Sequence, residues 1–465
     1  MPMYLGDKAV AAAYLGDKAI SKAFVGASDA GGGGPVSSKI ALGSKLGFIG
    51  DSILNYNHVS ANGVNQIRSL SRGELTYAKM RSPRWRDDTW HDDADANGRF
   101  FTGANHGVSG DTTTGVLARL NALIAMAPAI AVVAIGTNNL SPTATAISEI
   151  QQICEQLLAA NIKVLLCTVR PWSTAKSGDN AGSRANRVTV NNGIRAYAAT
   201  KNTNSLRLCD LDLVYDPDND GYGPVSWFVD GLHPIDLGAS NAGAYIQAVL
   251  NDWFETGNWL TANFWDSGNL QTNPTLTGAG GGMGAGVTGV VPTSWRVQRG
   301  GTVASTCVAS VEANVDTGGQ SAVLDITPVG SAISERFEFQ IGSVGQVNTM
   351  ALDGQWAMAW AELEYDDKTW WGCPQLQLFH GSDGTQFASG GYNSLSPINM
   401  APVNGKLWVS TPPILMPAGI TSYKFILQMR FNAADGVAAG NGPGRVKVRR
   451  GWAGAISNPK SVWNT

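Results

Sequence analysis

The stretch Leu46-Gly47-Phe48-Ile49-Gly50-Asp51-Ser52 decides how the chain is read. A short apolar run ends at a glycine, an acid and then a serine at a turn. In an open α/β sheet, the crevice that takes ligands lies at the carboxyl ends of the strands. A serine placed there exposes its hydroxyl while the strand behind holds it rigid. Gly-Asp-Ser is also ordinary turn composition, so the reading depends on partners elsewhere in the chain.

From about residue 40 to 257, apolar runs alternate with helical periodicity. Ala129-Ile130-Ala131-Val132-Val133-Ala134-Ile135 and Ile162-Lys163-Val164-Leu165-Leu166-Cys167-Thr168 read as buried strands. Between them Ile147, Ile150, Ile153, Cys154, Leu157 and Leu158 recur at intervals of three and four, which is one face of a helix. Leu117, Leu120 and Ile124, and later Ala244, Ala248 and Leu250, predict two further helices. Strands alternating with helices imply a parallel sheet covered on both faces, an α/β/α architecture.

A serine hydroxyl is a poor nucleophile until a base takes its proton and a third group orients that base. Asp230-Gly231-Leu232-His233-Pro234 offers both, because an acid and a histidine three apart in a tight turn can hydrogen-bond. The segment precedes the last helix of the α/β region and can fall at the same sheet edge as Ser52. Acyl transfer also needs donors for an oxyanion. Asn105-His106-Gly107-Val108-Ser109-Gly110-Asp111-Thr112 and Gly136-Thr137-Asn138-Asn139 both end in strand-to-helix turns that could supply them.

These four segments, in this order, resemble the blocks of the SGNH (GDSL-type) hydrolase family over about 45–255. The run Gly107–Thr113, followed by Leu117-Ala118-Arg119-Leu120, is especially similar to bacterial thioesterase and acylesterase members. The resemblance implies Ser52 as nucleophile, His233 as general base and acid, and Asp230 as its orienter. It implies an oxyanion hole from the backbone N–H groups of Ser52 and Gly110 and the side-chain amide of Asn138. One departure is Asn139, where the family commonly has an acid; that position is mostly structural in the family. No cofactor or metal is expected.

A long insertion, about 53–100, carries Tyr56, Tyr77, Arg84, Trp85, Arg86, Trp90 and His91. Such side chains can stack on and clamp a sugar, or pack the loop onto the sheet. Trp172 and Trp227 invite the same two readings. Asp51, Trp90 and Trp227 are the expected substrate contacts. Asp216-Pro217-Asp218-Asn219-Asp220-Gly221 imitates the start of a calcium loop, but Trp227 at the twelfth position argues for a solvated turn.

The remainder of the chain sets the context. Its 465 residues exceed one ordinary domain, 15% are charged, and the net charge is -3 without blocks of one sign. Nothing suggests a footprint for nucleic acid or an anionic membrane. No apolar run reaches the roughly 18 residues that span a bilayer, and no secretory leader is read at the N-terminus. Cys154, Cys167, Cys209, Cys307 and Cys373 match no metal or disulfide spacing and read as buried free thiols.

Tyr4-Leu5-Gly6-Asp7-Lys8-Ala9 returns as Tyr14-Leu15-Gly16-Asp17-Lys18-Ala19, and Phe24-Val25-Gly26 begins a decayed third copy. This resembles the short N-terminal repeats of phage tail proteins, which implies attachment to the virion tail or baseplate. Gly31–Pro35 opens a flexible linker. After Trp259 the texture changes to short alternating runs such as Arg336–Ile341 and Tyr423–Gln428, punctuated by Gly, Pro, Asn and Asp, which predict a β-sandwich. The segment beginning Asn269-Leu270-Gln271-Thr272-Asn273-Pro274 resembles the carbohydrate-binding, jelly-roll sandwiches of phage receptor proteins, and Trp356, Trp360, Trp370 and Trp371 read as core more than as sugar platforms.

The expected organisation is a virion-attachment repeat (1–30), a linker (31–39), a flavodoxin-like hydrolase domain (40–258) and a sandwich for carbohydrate binding or oligomerisation (259–465). The expected activity is removal of O-acetyl groups from host bacterial surface polysaccharide (O-antigen or capsule) by a homotrimeric tail fibre or tailspike, outside the host cell. A non-catalytic adhesin and a secreted lipase or acylesterase are the alternative readings.

Overall fold

In the computed structural model, the description covers residues 39–57, 73–87, 103–264, 268–301, 304–329, 335–341, 354–380, 403–411, 413–416, 423–431 and 443–463. It also covers residues 352 and 400 and the backbones of short strands at 4–5, 8–9, 14–15, 18–19, 59–63, 66–70 and 385–389. In the N-terminal repeat, each copy pairs Tyr-Leu with its own Lys-Ala, as Tyr4–Leu5 with Lys8–Ala9 and Tyr14–Leu15 with Lys18–Ala19.

The α/β region is built on one parallel sheet. Its order runs Leu206–Cys209, Lys163–Cys167, Ile130–Ala134, Ser44–Gly50. On the free side of Ser44–Gly50, Trp85–Arg86 pairs with its first half and Asn105–Gly107 with its second. The first strand is therefore central, and the chain leaves it toward opposite edges. This is the topological switch point at which crevices open in doubly wound sheets.

Alternation along the strands fills both faces. Ile49, Ala131, Val133, Val164 and Leu166 meet α3 (Thr113–Ala125), α4 (Thr143–Ala159) and α5 (Ala181–Ala199). Phe48, Ile130, Val132 and Leu165 meet α7 (Asp236–Asn251) and α2 (Glu74–Arg81). The predicted face of α4 is the buried one, with Ile150, Ile153, Cys154 and Leu157 at its centre. In α7 the buried face is Ala239, Ala242, Ile246 and Leu250, whereas Ala248 is exposed. All five cysteines are free and buried. Among the described residues no helix is long and apolar enough to cross a membrane.

Among the described residues, the C-terminal region forms two mainly antiparallel sheets. One runs Val287–Gly289, Thr306–Asn314, Gly319–Thr327, Gly444–Ala455, Trp356–Tyr365, Gly405–Ser410. The other runs Gly282–Met283, Trp295–Arg299, Arg336–Ile341, Tyr423–Arg430, Gln375–His380, Thr385–Ser389. That second sheet then continues into strands from the insertion. Gln66–Leu70 pairs parallel with Thr385–Ser389, and Val59–Gly63 closes the edge. In return, the C-terminal helix Pro459–Trp463 buries Trp463 in the α/β core, where Lys45 donates to the carbonyl of Val462 at 3.1 Å. A boundary between 258 and 259 thus divides the chain but not the packing.

Burial decides between the two readings of several aromatics. Trp356, Trp360, Trp370 and Trp371 lie inside the molecule, and Trp370 packs on Trp371 with centroids 4.4 Å apart. They are core, not sugar platforms. Tyr77, Trp85 and Trp172 are buried as well. Arg84 donates to the carbonyl of Asn251, and Arg86 lies over Trp259, so both pack the base of the insertion.

Candidate active site

The ends of three strands meet beside Ser52, where Gly50 pairs with Ala134 on one side and Gly107 on the other. The first strand ends at Gly50, where an added Cβ would stand 2.1 Å from the carbonyl oxygen of Ala134. Only glycine lets the two strand ends approach so closely. Asp51 then caps the short helix α1 (Ser52–Asn55) by accepting the N–H of Ile53 at 3.0 Å. Capping turns the carboxylate inward and the next side chain, Ser52, toward the crevice.

The structure corrects the expectation that Asp51 touches substrate, because it is only 1% exposed. Burial raises its pKa above the ordinary aspartate range, opposed by the charge of Arg170 and by hydrogen bonds from Ile53 and Thr137.

His233 reaches the same point from the last loop before α7. Ser52 Oγ lies 2.8 Å from His233 Nε2, and His233 Nδ1 lies 2.7 Å from Asp230 Oδ2. An ionised carboxylate only accepts, so Nδ1 carries the proton and the lone pair of Nε2 faces the serine hydroxyl. Asp230 Oδ1 accepts the backbone N–H groups of Leu232 at 3.0 Å and His233 at 2.8 Å. Burial alone would raise the Asp230 carboxyl, but the hydrogen bonds from the His233 amide, its ring and the Leu232 amide hold it below its usual range.

The turn that carries them is tightly constrained. Val229 donates to the carbonyl of His233 at 2.9 Å, and Ser173 donates to that of Gly231 at 2.8 Å. Gly231 has φ +82, and an added Cβ would lie 2.3 Å from the nitrogen of Lys176. Tyr56 packs on the imidazole from the other side, with centroids 4.9 Å apart and planes tilted by 47°.

The loop after Asn105–Gly107 is held at the same strand end. Val108 donates to the carbonyl of Gly50 at 3.0 Å. Arg119 donates to that carbonyl at 2.9 Å and to Asp111 Oδ2 at 2.7 Å, and its guanidinium also reaches the carbonyl of His106. Gly110 is exposed at φ +79 with open space where a Cβ would stand, so its backbone conformation, not crowding, favours glycine. Asn138 is exposed and donates one amide hydrogen to the carbonyl of Asp111 at 2.9 Å, which leaves a second for a ligand. Asn139 accepts from the amide of Thr113 at 3.2 Å and donates to its hydroxyl at 2.6 Å, so it serves the start of α3.

Of the expected substrate contacts, Trp90 lies outside the described residues, as does His91. Trp227 is half-buried and packs edge-on against Tyr215, with centroids 5.8 Å apart, at the margin of the α/β core. Asp216 accepts the amides of Asp220 and Gly221 at 2.9 Å each, which explains the acidic turn without an ion. Among the described residues there is no cluster of acids, histidines and cysteines arranged to hold a metal.

Residues 48–240 match the model of the GDSL-like Lipase/Acylhydrolase family. The N-terminal parallel-sheet α/β domain is SGNH-like, and a C-terminal region rich in antiparallel strands follows it. Similar solved structures include an acetylxylan esterase from Geobacillus stearothermophilus, 18% identical, with a TM-score of 0.35, covering 47% of this chain and 100% of that one. Another is a GDSL-like lipase from Bacteroides thetaiotaomicron, 20% identical, with a TM-score of 0.31, covering 45% of this chain and 88% of that one. No curated protein matches the chain.

Proposed function

We propose that the protein is a serine esterase that removes O-acetyl groups from bacterial surface polysaccharide. The observation that carries this reading is the continuous relay Ser52–His233–Asp230, with both hydrogen bonds formed. Ser52 Oγ attacks the acetyl carbonyl as His233 Nε2 takes its proton, and the carbonyl electrons move onto oxygen. The backbone amides of Ser52 and Gly110 and the side-chain amide of Asn138 receive that oxyanion. Collapse expels the sugar alkoxide, which takes the proton from His233 and leaves acetyl-Ser52. Water, deprotonated by His233, then attacks the acyl-enzyme, and collapse breaks the acyl–Oγ bond, returns the proton from His233 to Ser52 and releases acetate.

The openness of the site supports an ester carried on a large polymer. Gly110, Asn138 and Ser109 are exposed, and the side chain of Asp230 is 53% accessible. An ester projecting from a chain can be presented to such a rim, whereas a long acyl group would need an enclosed apolar channel. The repeat at Tyr4–Ala9 and Tyr14–Ala19 supports a setting in a phage tail fibre or tailspike, attached to the virion tail or baseplate and acting outside the host cell. Homotrimeric assembly belongs to the same proposal.

Acetate release from purified bacterial surface polysaccharides, followed by NMR, tests the reading. Release by the wild type and none by Ser52→Ala is the expected result. Turnover of p-nitrophenyl acetate through Ser52 without release from any acetylated polysaccharide would overturn the substrate assignment. Inactivity on both would overturn the esterase.

A further inference from the structure

Helix α2 belongs to two cores at once. Leu75 and Ala78 pack with the α/β domain, whereas Tyr77 and Met80 pack in the sandwich core. Tyr77 is 2% exposed, and its hydroxyl donates to Asp236 Oδ1 at 2.7 Å. The thiol of Cys373, from the sandwich, faces the same phenol. Burial, and then the adjacent Asp236 carboxylate, drive the phenol well above the ordinary tyrosine range, so it stays a hydrogen-bond donor.

Asp236 is fully buried and is the first residue of α7, which begins just after His233-Pro234-Ile235. Between them, Ile235 donates to the carbonyl of Trp227 at 2.8 Å, and Phe228 bridges to Pro234. The start of α7 and the turn bearing Asp230 and His233 are thus one short, braced segment. Helices α2 and α7 also cross in contact at Gly243, where an added Cβ would lie 2.8 Å from both the Ala78 nitrogen and the Glu74 oxygen.

We propose that Tyr77, seated in the sandwich core, is a positioning residue for His233. The Tyr77–Asp236 bond fixes where α7 begins, and the beginning of α7 fixes the His233 turn. Loss of the phenolic donor removes one hydrogen bond from that buried carboxylate, which shifts that turn. The kinetic half of this inference rests on the esterase reading; its spectroscopic half does not.

The test compares full-length wild type, Tyr77→Phe and Met80→Ala. Tyr77→Phe keeps the ring in both cores and deletes only the donor. Met80→Ala opens the sandwich side of the same helix without touching Asp236. With p-nitrophenyl acetate, Tyr77→Phe is expected to lower kcat about ten-fold at nearly constant KM, because misplaced reacting groups cost turnover more than binding. The downfield proton resonance of His233 Nδ1–H is expected to shift or broaden in that variant. Met80→Ala is expected to lower the melting temperature and leave both kcat and the resonance in place.

Wild-type kcat and an unmoved resonance in Tyr77→Phe would overturn the proposal. So would equal losses in Met80→Ala, which would indicate general loosening. If the wild type itself turns over no ester, the esterase reading fails, and the resonance alone decides the role of Tyr77.

Discussion

Ser52 Oγ and His233 Nε2 stand 2.8 Å apart although 181 residues separate them in the chain. The sheet order produces this meeting. Ser52 follows the central strand, and its crevice is bounded by the turns after Asn105–Gly107 and Ile130–Ala134. The Asp230–His233 turn closes the same edge from the chain segment that enters α7. Ser52, His233 and the candidate oxyanion donors therefore hang on different elements at one sheet edge.

Asn138 gives the sharpest test of the oxyanion assignment. One of its amide hydrogens is committed to Asp111, and the other is available. Asn138→Ala is expected to lower kcat about 10²-fold with little change in KM, as for loss of one preorganised donor. Steady-state kinetics on an acetyl ester measure this. A change confined to KM would place Asn138 in ground-state binding instead.

Gly231 is constrained both by its positive φ and by the backbone of Lys176. Gly231→Ala cannot keep the turn, so Asp230 and His233 must move. A loss of roughly 1–3 kcal/mol in unfolding free energy is expected, the cost of strain at such a position. Activity should fall by more than the folded fraction explains. Denaturant melts read beside kinetics decide it; full activity in the folded variant would contradict the constraint.

Asp51 predicts a pH dependence of stability. Its folded pKa is raised by burial, so the folded state holds this proton more tightly than the unfolded chain. Its contribution then favours the fold in acid and is lost as pH rises from the ordinary aspartate range through the raised value. Asp51→Asn keeps an acceptor for Ile53 and cannot ionise. The melting temperature of the variant relative to wild type should become more favourable across that window and level off above it. A difference that does not vary with pH would contradict the burial argument.

Much of the α/β architecture was legible because its signals are local. The strands at 130–134 and 163–167 lie within the apolar runs read from sequence, and the face of α4 follows its three-and-four spacing. The Ser, Gly, Asn and Asp-x-x-His segments were legible as motifs, since each needs a particular residue at a turn. Side-chain direction at those turns was not. Asp51 looked like a crevice residue, and only the cap to Ile53 turns it inward. The tryptophans of the sandwich read as core more than as sugar platforms, but the face each takes was not legible, because an aromatic in an alternating strand suits either face. The double role of α2 was invisible for a different reason: Tyr77 and Leu75 belong to cores assembled from segments hundreds of residues apart.

The proposed chemistry requires Ser52 to be a nucleophile activated by His233. Treating the protein with a fluorophosphonate and locating the adduct by peptide mass spectrometry tests it most directly. One phosphonyl group on Ser52, strongly slowed labelling in His233→Ala, and none at that peptide in Ser52→Ala are the expected results. Labelling at another serine, or equal rates in wild type and His233→Ala, would contradict it.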